Sequence, residues 1–241
     1  MVNQFIQTAA FVLVAAVIGT LLFFQVDVIN RGGPVMIPIV MCSVFSVAVT
    51  VERFYYFFQL YRGKDVEGFF ERLRVAVEQQ KWKDAQVLCE AWPSPIARVT
   101  LAGVQAHENA PEEIDEAMEE AAHDELPAVE KHLRWLSTLA QVSTLLGLLG
   151  TVTGLVRAFQ VIQAKSGASG SPVNPGDLAG GVWEALITTV AGLVIAIPTT
   201  LAYNYFANRL AEVQFQMEKA AAIVSGWRRR RGSHAAPTPI H

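Results

Sequence analysis

The sequence predicts an all-α membrane protein with three long transmembrane helices, possibly four with the N-terminal block, and a helical cytoplasmic domain. Of its 241 residues, 52% are hydrophobic and 17% are charged, whereas an ordinary soluble domain carries about 25% charged residues. The apolar residues concentrate in four blocks, at 5–24, 34–58, 136–162 and 179–207. Each of the last three blocks exceeds the roughly 20 residues that a helix needs to cross a bilayer.

The N-terminal segment 1–28 is predicted to form an apolar helix that either spans the membrane or lies in its outer interface. Its block FIQTAAFVLVAAVIGTLLFF is just long enough to span. The segment has no basic leading region and no clear small-residue cleavage site before Arg31, which disfavours a removable signal peptide.

Residues 33–58 are predicted to form the next transmembrane helix. Pro34 suits its first turn, where the backbone amides have no helical partner. Glu52 and Arg53 mark its far end, and the aromatic run FYYFF that follows is typical of a membrane interface.

Residues 59–134 are predicted to form a cytoplasmic helical domain. Apolar residues recur there at helical spacing, as at Phe69, Leu73 and Ala76. Another helix begins at Pro111 and meets no turn signal before residue 136. We therefore expect one long helix that leaves the membrane, with a kink at Pro127.

The rest of the chain is predicted to form transmembrane helices at 135–162 and 179–208, a periplasmic loop at 163–178, and a cytoplasmic helix with a basic tail at 209–241. This orientation places 16 of the 19 Lys and Arg in the cytoplasm, all except Arg31, Arg157 and Lys165, as the positive-inside rule favours. The tail carries four arginines that we expect to face anionic lipid: Arg228, Arg229, Arg230 and Arg231.

Small and hydroxyl-bearing residues share one face on each of the last two spans. Such residues let membrane helices pack closely and form interhelical hydrogen bonds, so simple packing explains the glycines. The repeated threonines suggest in addition a polar lining for ions. The residues concerned are Ser143, Gly147, Gly150, Thr151 and Gly154 on one span, and Gly181, Ala185, Thr188, Thr189, Gly192, Ala196 and Thr199 on the other.

Glu184 is the one carboxylate within these two spans, about a turn and a half into the last one. Charged groups inside a bilayer usually face a bundle interior or water. Arg157 either faces the outer headgroups or pairs with Glu184. No Asp or Glu lies deeper, near the levels of Thr151 and Thr189, so a proton relay there needs a carboxylate from another chain.

Several functional classes lack support in the sequence. The net charge of −3 gives no signal for nucleic acid. Cys42 and Cys89 fall in different compartments in this topology and are expected to be small buried hydrophobes. Metal-ligand spacing, a cofactor motif and a catalytic set are absent from the sequence, so neither a metal site, a cofactor nor an enzyme is expected.

Three stretches together resemble the ExbB/TolQ/MotA family of ion-driven motor subunits, most of all its ExbB and TolQ branch. They are GGPVMIPIVMCSVFSVAVTVERFYYF, LLGLLGTVTGLVRAF and EALITTVAGLVIAIPTTLAYNYF, and the likeness runs from about residue 32 to about residue 211. The resemblance implies a pentameric ring in the bacterial inner membrane. It also implies a dimeric ExbD/TolR-like partner, whose single membrane aspartate carries the proton.

The resemblance also assigns roles to individual residues. Thr151 and Thr189 correspond to pore threonines that face the partner's aspartate, with Thr188 beside them. Glu184 corresponds to a glutamate at the outer end of the pore, and Pro198 to the proline of the family's AIP segment. We expect five residues to serve helix packing: Gly147, Gly150, Gly154, Gly192 and Pro198. We expect the two hydroxyls to donate to the aspartate when it is ionised, and Glu184 to attract cations.

The function predicted on this basis is a stator subunit of a motor driven by the proton motive force. Its load would be TonB-type transport, Tol-type envelope maintenance or gliding, reached through a TonB-, TolA- or gliding-type force transmitter. The alternative is a passive ion channel or transporter subunit that needs no partner. A membrane scaffold is a third possibility, and sodium is the alternative to the proton.

Overall fold

A computed structural model describes residues 32–61, 65–168 and 174–234. The predicted N-terminal helix at 1–28 lies outside them. The described residues are almost entirely helical and contain no strand, which confirms the predicted fold class. Their helices are α1 (Met36–Tyr61), α2 (Val66–Glu78), α3 (Trp82–Glu90), α4 (Pro95–Gln105), α5 (Pro111–Glu130), α6 (Leu133–Ala168) and α7 (Pro175–His234).

Three of the described helices are long and apolar enough to cross a membrane, as predicted, and their apolar windows lie in α1, α6 and α7. α6 continues to Ala168 and α7 begins at Pro175, inside the segment predicted as a loop at 163–178. Pro175 suits the first turn of a helix because that turn leaves its amides without helical partners. α7 then continues through Pro198 without interruption.

The expectation of one long helix with a kink at Pro127 is wrong. Pro127 lies inside α5, and the chain breaks instead at Lys131 and His132, where His132 has a φ of +64°. Two residues of α1 support this break. Arg53 donates to the carbonyl oxygen of Val129 at 3.3 Å, and His132 Nδ1 lies 2.6 Å from a carboxylate oxygen of Glu52.

These contacts give the break a physical reason. The last carbonyls of a helix have no partner within it, and the buried guanidinium of Arg53 supplies one for α5. The left-handed conformation of His132 is unfavourable for a residue other than glycine. A contact with Glu52, 80 residues away in the sequence, helps to hold it.

The structure divides into two compact units. The first contains the described residues up to Thr50 together with Trp135–Ala202. In its core, Met36 and Ile39 of α1 pack with Ile195 of α7, and Leu146 of α6 lies against them. The first unit therefore brings the three spanning helices into contact.

The second unit contains Val51–Arg134 and the described residues from Tyr203 onward. Its helices begin with conventional caps: the Asp65 side chain accepts from the Gly68 amide, and the Ser94 side chain accepts from the Ala97 amide. Met118 of α5 packs directly on Gly103 of α4. The Met118 side chain therefore joins α4 and α5, and it fits there because Gly103 has no Cβ.

The end of α7 packs within the second unit. The ring of Trp227 meets Trp82 edge to face, with 4.8 Å between centroids. Arg229 forms an ion pair with Asp115, whereas the side chains of Arg228, Arg230 and Arg231 lie outside the described part. Cys89 is buried in the same unit as a free cysteine, and burial raises the pKa of its thiol to about 12. Cys42 is likewise free and buried, as predicted for both.

Candidate ion pathway

α6 and α7 approach each other backbone to backbone through glycine. A Cβ placed on Gly154 would lie 2.7 Å from the carbonyl oxygen of Gly181. One placed on Gly192 would lie 2.6 Å from the carbonyl oxygen of Ser143. Larger side chains at these positions would therefore require the helices to separate. Close packing of this kind is a main source of attraction between helices in lipid.

Thr188 is fully buried in this contact and packs directly on Gly150. Its hydroxyl donates to carbonyl oxygens of its own helix, at 3.0 Å to Glu184 and 2.9 Å to Ala185. Such bonds satisfy a threonine within its own helix. In the described chain Thr188 thus fills the space between the helices, and its hydroxyl points back along α7.

The hydroxyls of Thr189 and Thr151 bond to neighbouring carbonyl groups of α6. The Thr189 hydroxyl donates across the helix contact to the carbonyl oxygen of Gly147 at 3.0 Å. In an α-helix the carbonyl of residue 147 also accepts from the amide of residue 151. The Thr151 hydroxyl itself donates to the carbonyl oxygen of Leu148 at 2.6 Å. The two threonines predicted for the pathway are therefore placed close together, one on each helix.

The direction of these bonds decides what the threonines can offer. A hydroxyl carries one hydrogen and two lone pairs, and both hydrogens are donated to backbone carbonyls. Each hydroxyl oxygen keeps lone pairs and therefore presents itself to an incoming group as an acceptor. The hydroxyl hydrogens that the family resemblance assigns to an ionised carboxylate are, in the described chain, already donated to the backbone.

Apolar side chains flank each threonine on its own helix. Leu148 and Leu155 lie three residues before and four residues after Thr151, and Leu186 and Leu193 stand in the same relation to Thr189. All four leucines are exposed in the single chain, and residues at these separations share a helix face. The threonine oxygens are thus isolated polar atoms in an apolar wall.

Glu184 forms an ion pair with Arg157 across the α6–α7 contact, which decides between the two alternatives for Arg157. The Glu184 side chain is 14% exposed and that of Arg157 is 44% exposed. Gly33, with a φ of +66°, lies so close that a Cβ there would overlap the pair. The sequence shows the turn signal of GGP but not this contact, so Gly33 was missed.

The proline predicted for helix packing lies elsewhere on the surface of its helix. Pro198 is inside α7, and its ring is exposed in the single chain. The glycines predicted with it, namely Gly147, Gly150, Gly154 and Gly192, all have atoms of the neighbouring helix within contact distance of a Cβ. The α6–α7 contact therefore depends on glycine rather than on this proline.

Comparison with known proteins identifies the family of this helix pair. Residues 91–219 match the MotA/TolQ/ExbB proton channel family. The ExbB-like 1 protein of Synechocystis sp. is 32% identical over 199 residues, which cover 83% of this chain and 76% of that protein. The chain belongs to the MotA/TolQ/ExbB proton channel family. The resemblance stated from the sequence motifs is thereby confirmed.

Two further similarities agree with this assignment. TolQ of Haemophilus influenzae is 36% identical over 114 residues, which cover 46% of this chain and 48% of that protein. A solved structure of C. jejuni MotAB has the same fold, with a TM-score of 0.51, 13% identity, and coverage of 92% of this chain and 94% of that chain. The protein is thus a membrane-embedded subunit of a proton channel family, and the matched segment contains Thr151, Thr189, Glu184 and Arg157.

Proposed function

We propose that this chain is the ring-forming stator subunit of a motor that is driven by the proton motive force in the bacterial inner membrane. Five copies surround the transmembrane helices of a dimeric ExbD/TolR-like partner, and the partner's membrane aspartate carries the proton. Residues 59–134 and 209–241 face the cytoplasm, and residues 163–178 face the periplasm. The basic tail then lies at the anionic inner leaflet, where each Lys or Arg contributes about 1 kcal/mol.

The observation that carries this proposal is the pair of threonine oxygens on a tightly packed wall that has no acid of its own at their level. The Thr189 hydroxyl bonds to the carbonyl of Gly147 and the Thr151 hydroxyl to that of the next residue, Leu148, and both threonines are flanked by exposed leucines. A group that gives up and regains protons must be titratable, and a threonine is not. The proton carrier therefore comes from a second chain.

The direction of the hydroxyl bonds indicates which form of the carrier this wall stabilises. A protonated aspartate has one O–H donor, and the Thr151 and Thr189 oxygens can accept it. An ionised aspartate has acceptors alone, so it meets lone pairs and apolar leucine. The surface around Thr151 and Thr189 consequently binds the protonated aspartate better than the ionised one. Each proton gained or lost therefore shifts the preferred position of the partner helix.

The membrane potential can supply the energy for such steps. One elementary charge that crosses about 100 mV releases about 2.3 kcal/mol. This energy exceeds the free-energy difference of one or two hydrogen bonds between neighbouring positions of the partner helix. A hydrogen bond between membrane helices contributes about 0.6 kcal/mol. The resulting motion energises a periplasmic or outer-membrane process through a force transmitter of the TonB, TolA or gliding type.

The proposal is tested by removing both oxygens while keeping side-chain volume, in the double variant Thr151→Val with Thr189→Val. The chain is reconstituted in liposomes with its single-span partner, and proton flux is measured with a pH-sensitive dye under an imposed potential. The protonated aspartate can donate one hydrogen bond, and loss of that bond, about 0.6 kcal/mol, should lower the flux by roughly threefold. Copurification of the partner checks that the complex still assembles.

Thr100→Val is the matched control. Its hydroxyl donates to the carbonyl oxygen of Ile96 at 2.7 Å within the second unit, so this variant loses the same group away from the proposed pathway and should keep its flux. Full flux in the assembled double variant would contradict the role of the threonines. Conduction by the chain without any partner would favour the passive channel instead.

A further inference from the structure

The ion pair between Arg157 and Glu184 occupies a fixed position between α6 and α7. One residue beyond Arg157, the Cβ of Ala158 is 2.8 Å from the place where a Cβ on Gly181 would stand. Backbone contact at this level leaves the two helices no room to slide closer together. Arg157 and Glu184 are therefore attached to two helices whose separation is fixed by backbone contact.

Gly33 covers the same pair from the segment that precedes α1. Its left-handed φ of +66° suits glycine, and its Cα lies where any Cβ would overlap Glu184 Oε1 and approach Arg157 Nη1 at 2.8 Å. The Glu184 side chain is 14% exposed as a result of these contacts, whereas Arg157 is 44% exposed. The carboxylate is thus the enclosed member of the pair, and the arginine is the member that is more exposed at the surface of the single chain.

This arrangement changes what Glu184 can do. A free carboxylate near a pore mouth attracts cations, and rings of such carboxylates select for them. A carboxylate that accepts a charge-assisted hydrogen bond from arginine has its charge balanced locally. A metal cation that binds Glu184 must compete with the guanidinium for the carboxylate and meets its positive charge. The Arg157–Glu184 pair itself offers no net charge.

We infer that Arg157 is a specificity-determining residue of the ion pathway, which denies Glu184 to metal cations by pairing with it. This inference rests on the proposed function, and it replaces the expectation that Glu184 attracts cations at the mouth. Arg157 acts through Glu184 and needs no contact with the carried proton. Protons can pass the outer end of the pathway when no metal ion is bound there, whereas sodium and calcium do not bind to the paired Glu184.

The test compares proton flux with and without external calcium at constant ionic strength, in liposomes that contain the chain and its single-span partner. Wild-type flux should be insensitive to calcium. Arg157→Gln should become several-fold inhibited by calcium because Glu184 is released, and Arg157→Lys should stay insensitive because it keeps the charge. The double variant Arg157→Gln with Glu184→Gln should lose the inhibition that the single variant gained.

A second readout needs neither the partner nor any flux. Carbodiimides modify carboxyl groups that the reagent can reach, and the modified residue is identified by mass spectrometry. Glu184 should stay unlabelled in the wild type, become labelled in Arg157→Gln and stay unlabelled in Arg157→Lys. If the wild type shows no proton flux with its partner, the proposed function fails, while the labelling still decides the role of Arg157.

The matched control is Arg98→Gln, which breaks the ion pair of Arg98 with Glu125 in the second unit and should change neither readout. Calcium insensitivity of Arg157→Gln would overturn the inference. So would calcium inhibition that persists when Glu184 is also replaced. Equal labelling of Glu184 in the wild type and in Arg157→Gln would overturn it without reference to transport.

Discussion

Gly180 and Gly181 are neighbours on α7 with opposite surroundings, so alanine at each position tests the glycine contact directly. A Cβ on Gly181 would lie 2.7 Å from the carbonyl oxygen of Gly154 and 2.8 Å from the Cβ of Ala158. A Cβ on Gly180 would meet no described atom within 4 Å. The two variants make the same chemical change one residue apart, and one of them disturbs the helix pair.

The size of the effect follows from these distances. Ordinary contact begins at 3.4 Å, so Gly181→Ala must move the helices apart locally by 0.7 Å (3.4 minus 2.7). The opposing atoms belong to backbone or to an alanine and cannot rotate away. Overpacking of this kind costs about 1–3 kcal/mol. The gain in helix propensity on replacing glycine by alanine, up to about 1 kcal/mol, is common to both variants. The two variants should therefore differ by about 1–3 kcal/mol in unfolding free energy.

The assay is equilibrium unfolding of the purified chain in mixed micelles with increasing dodecyl sulfate, followed by circular dichroism. Gly154→Ala should reproduce the loss because its Cβ meets the same contact from the other side, 2.7 Å from the Gly181 carbonyl oxygen. The double variant should lose less than the sum, since the first separation makes room for the second methyl group. Equal midpoints for Gly180→Ala and Gly181→Ala would refute the reasoning.

Two further predictions concern the second unit. Burial raises the pKa of the Cys89 thiol from 9.0 to about 12. In a Cys42→Ala variant, Cys89 should therefore react with iodoacetamide at pH 8 about 1,000-fold more slowly than a free thiol. Labelling of Cys89 at the free-thiol rate, measured by mass spectrometry, would disprove this. Trp227→Ala should lower the free energy of unfolding by about 3 kcal/mol, whereas Asp115→Asn should lower it by less than about 1 kcal/mol because its ion pair with Arg229 is exposed. Equal losses in chemical denaturation would contradict this by showing that the ion pair contributes as much as the ring contact.

The spanning helices and the face of α6 that meets α7 could be predicted because both depend on local pattern. Apolar length alone identifies a span, and the helical period alone puts Gly147, Gly150 and Gly154 on one face. The helical period alone cannot tell which of two adjacent residues at the edge of this face is buried in the contact. Thr188 is buried against Gly150, whereas Thr189 reaches across to Gly147, and the rotation of α7 about its axis decides which threonine does which.

The features that the sequence did not predict depend on residues far apart in the chain. Lys131 and His132 carry no turn signal, and the break there relies on Glu52 and Arg53 of α1. Pro127 does carry a helix-breaking signal, yet α5 continues through it. The partner of Arg157 stayed open for the same reason, because the register of α6 against α7 had first to be known.

The contact between α6 and α7 also has an entropic consequence. Ordering a long side chain at an interface loses rotamer freedom worth up to about 2 kcal/mol, whereas glycine has none to lose. At Gly154 and Gly181 main chain rests on main chain, so joining the helices freezes no rotamers there, and none can later flip to loosen the joint. A wall built in this way is stiff from the outset, and force applied to it is passed on rather than absorbed by rearranging side chains.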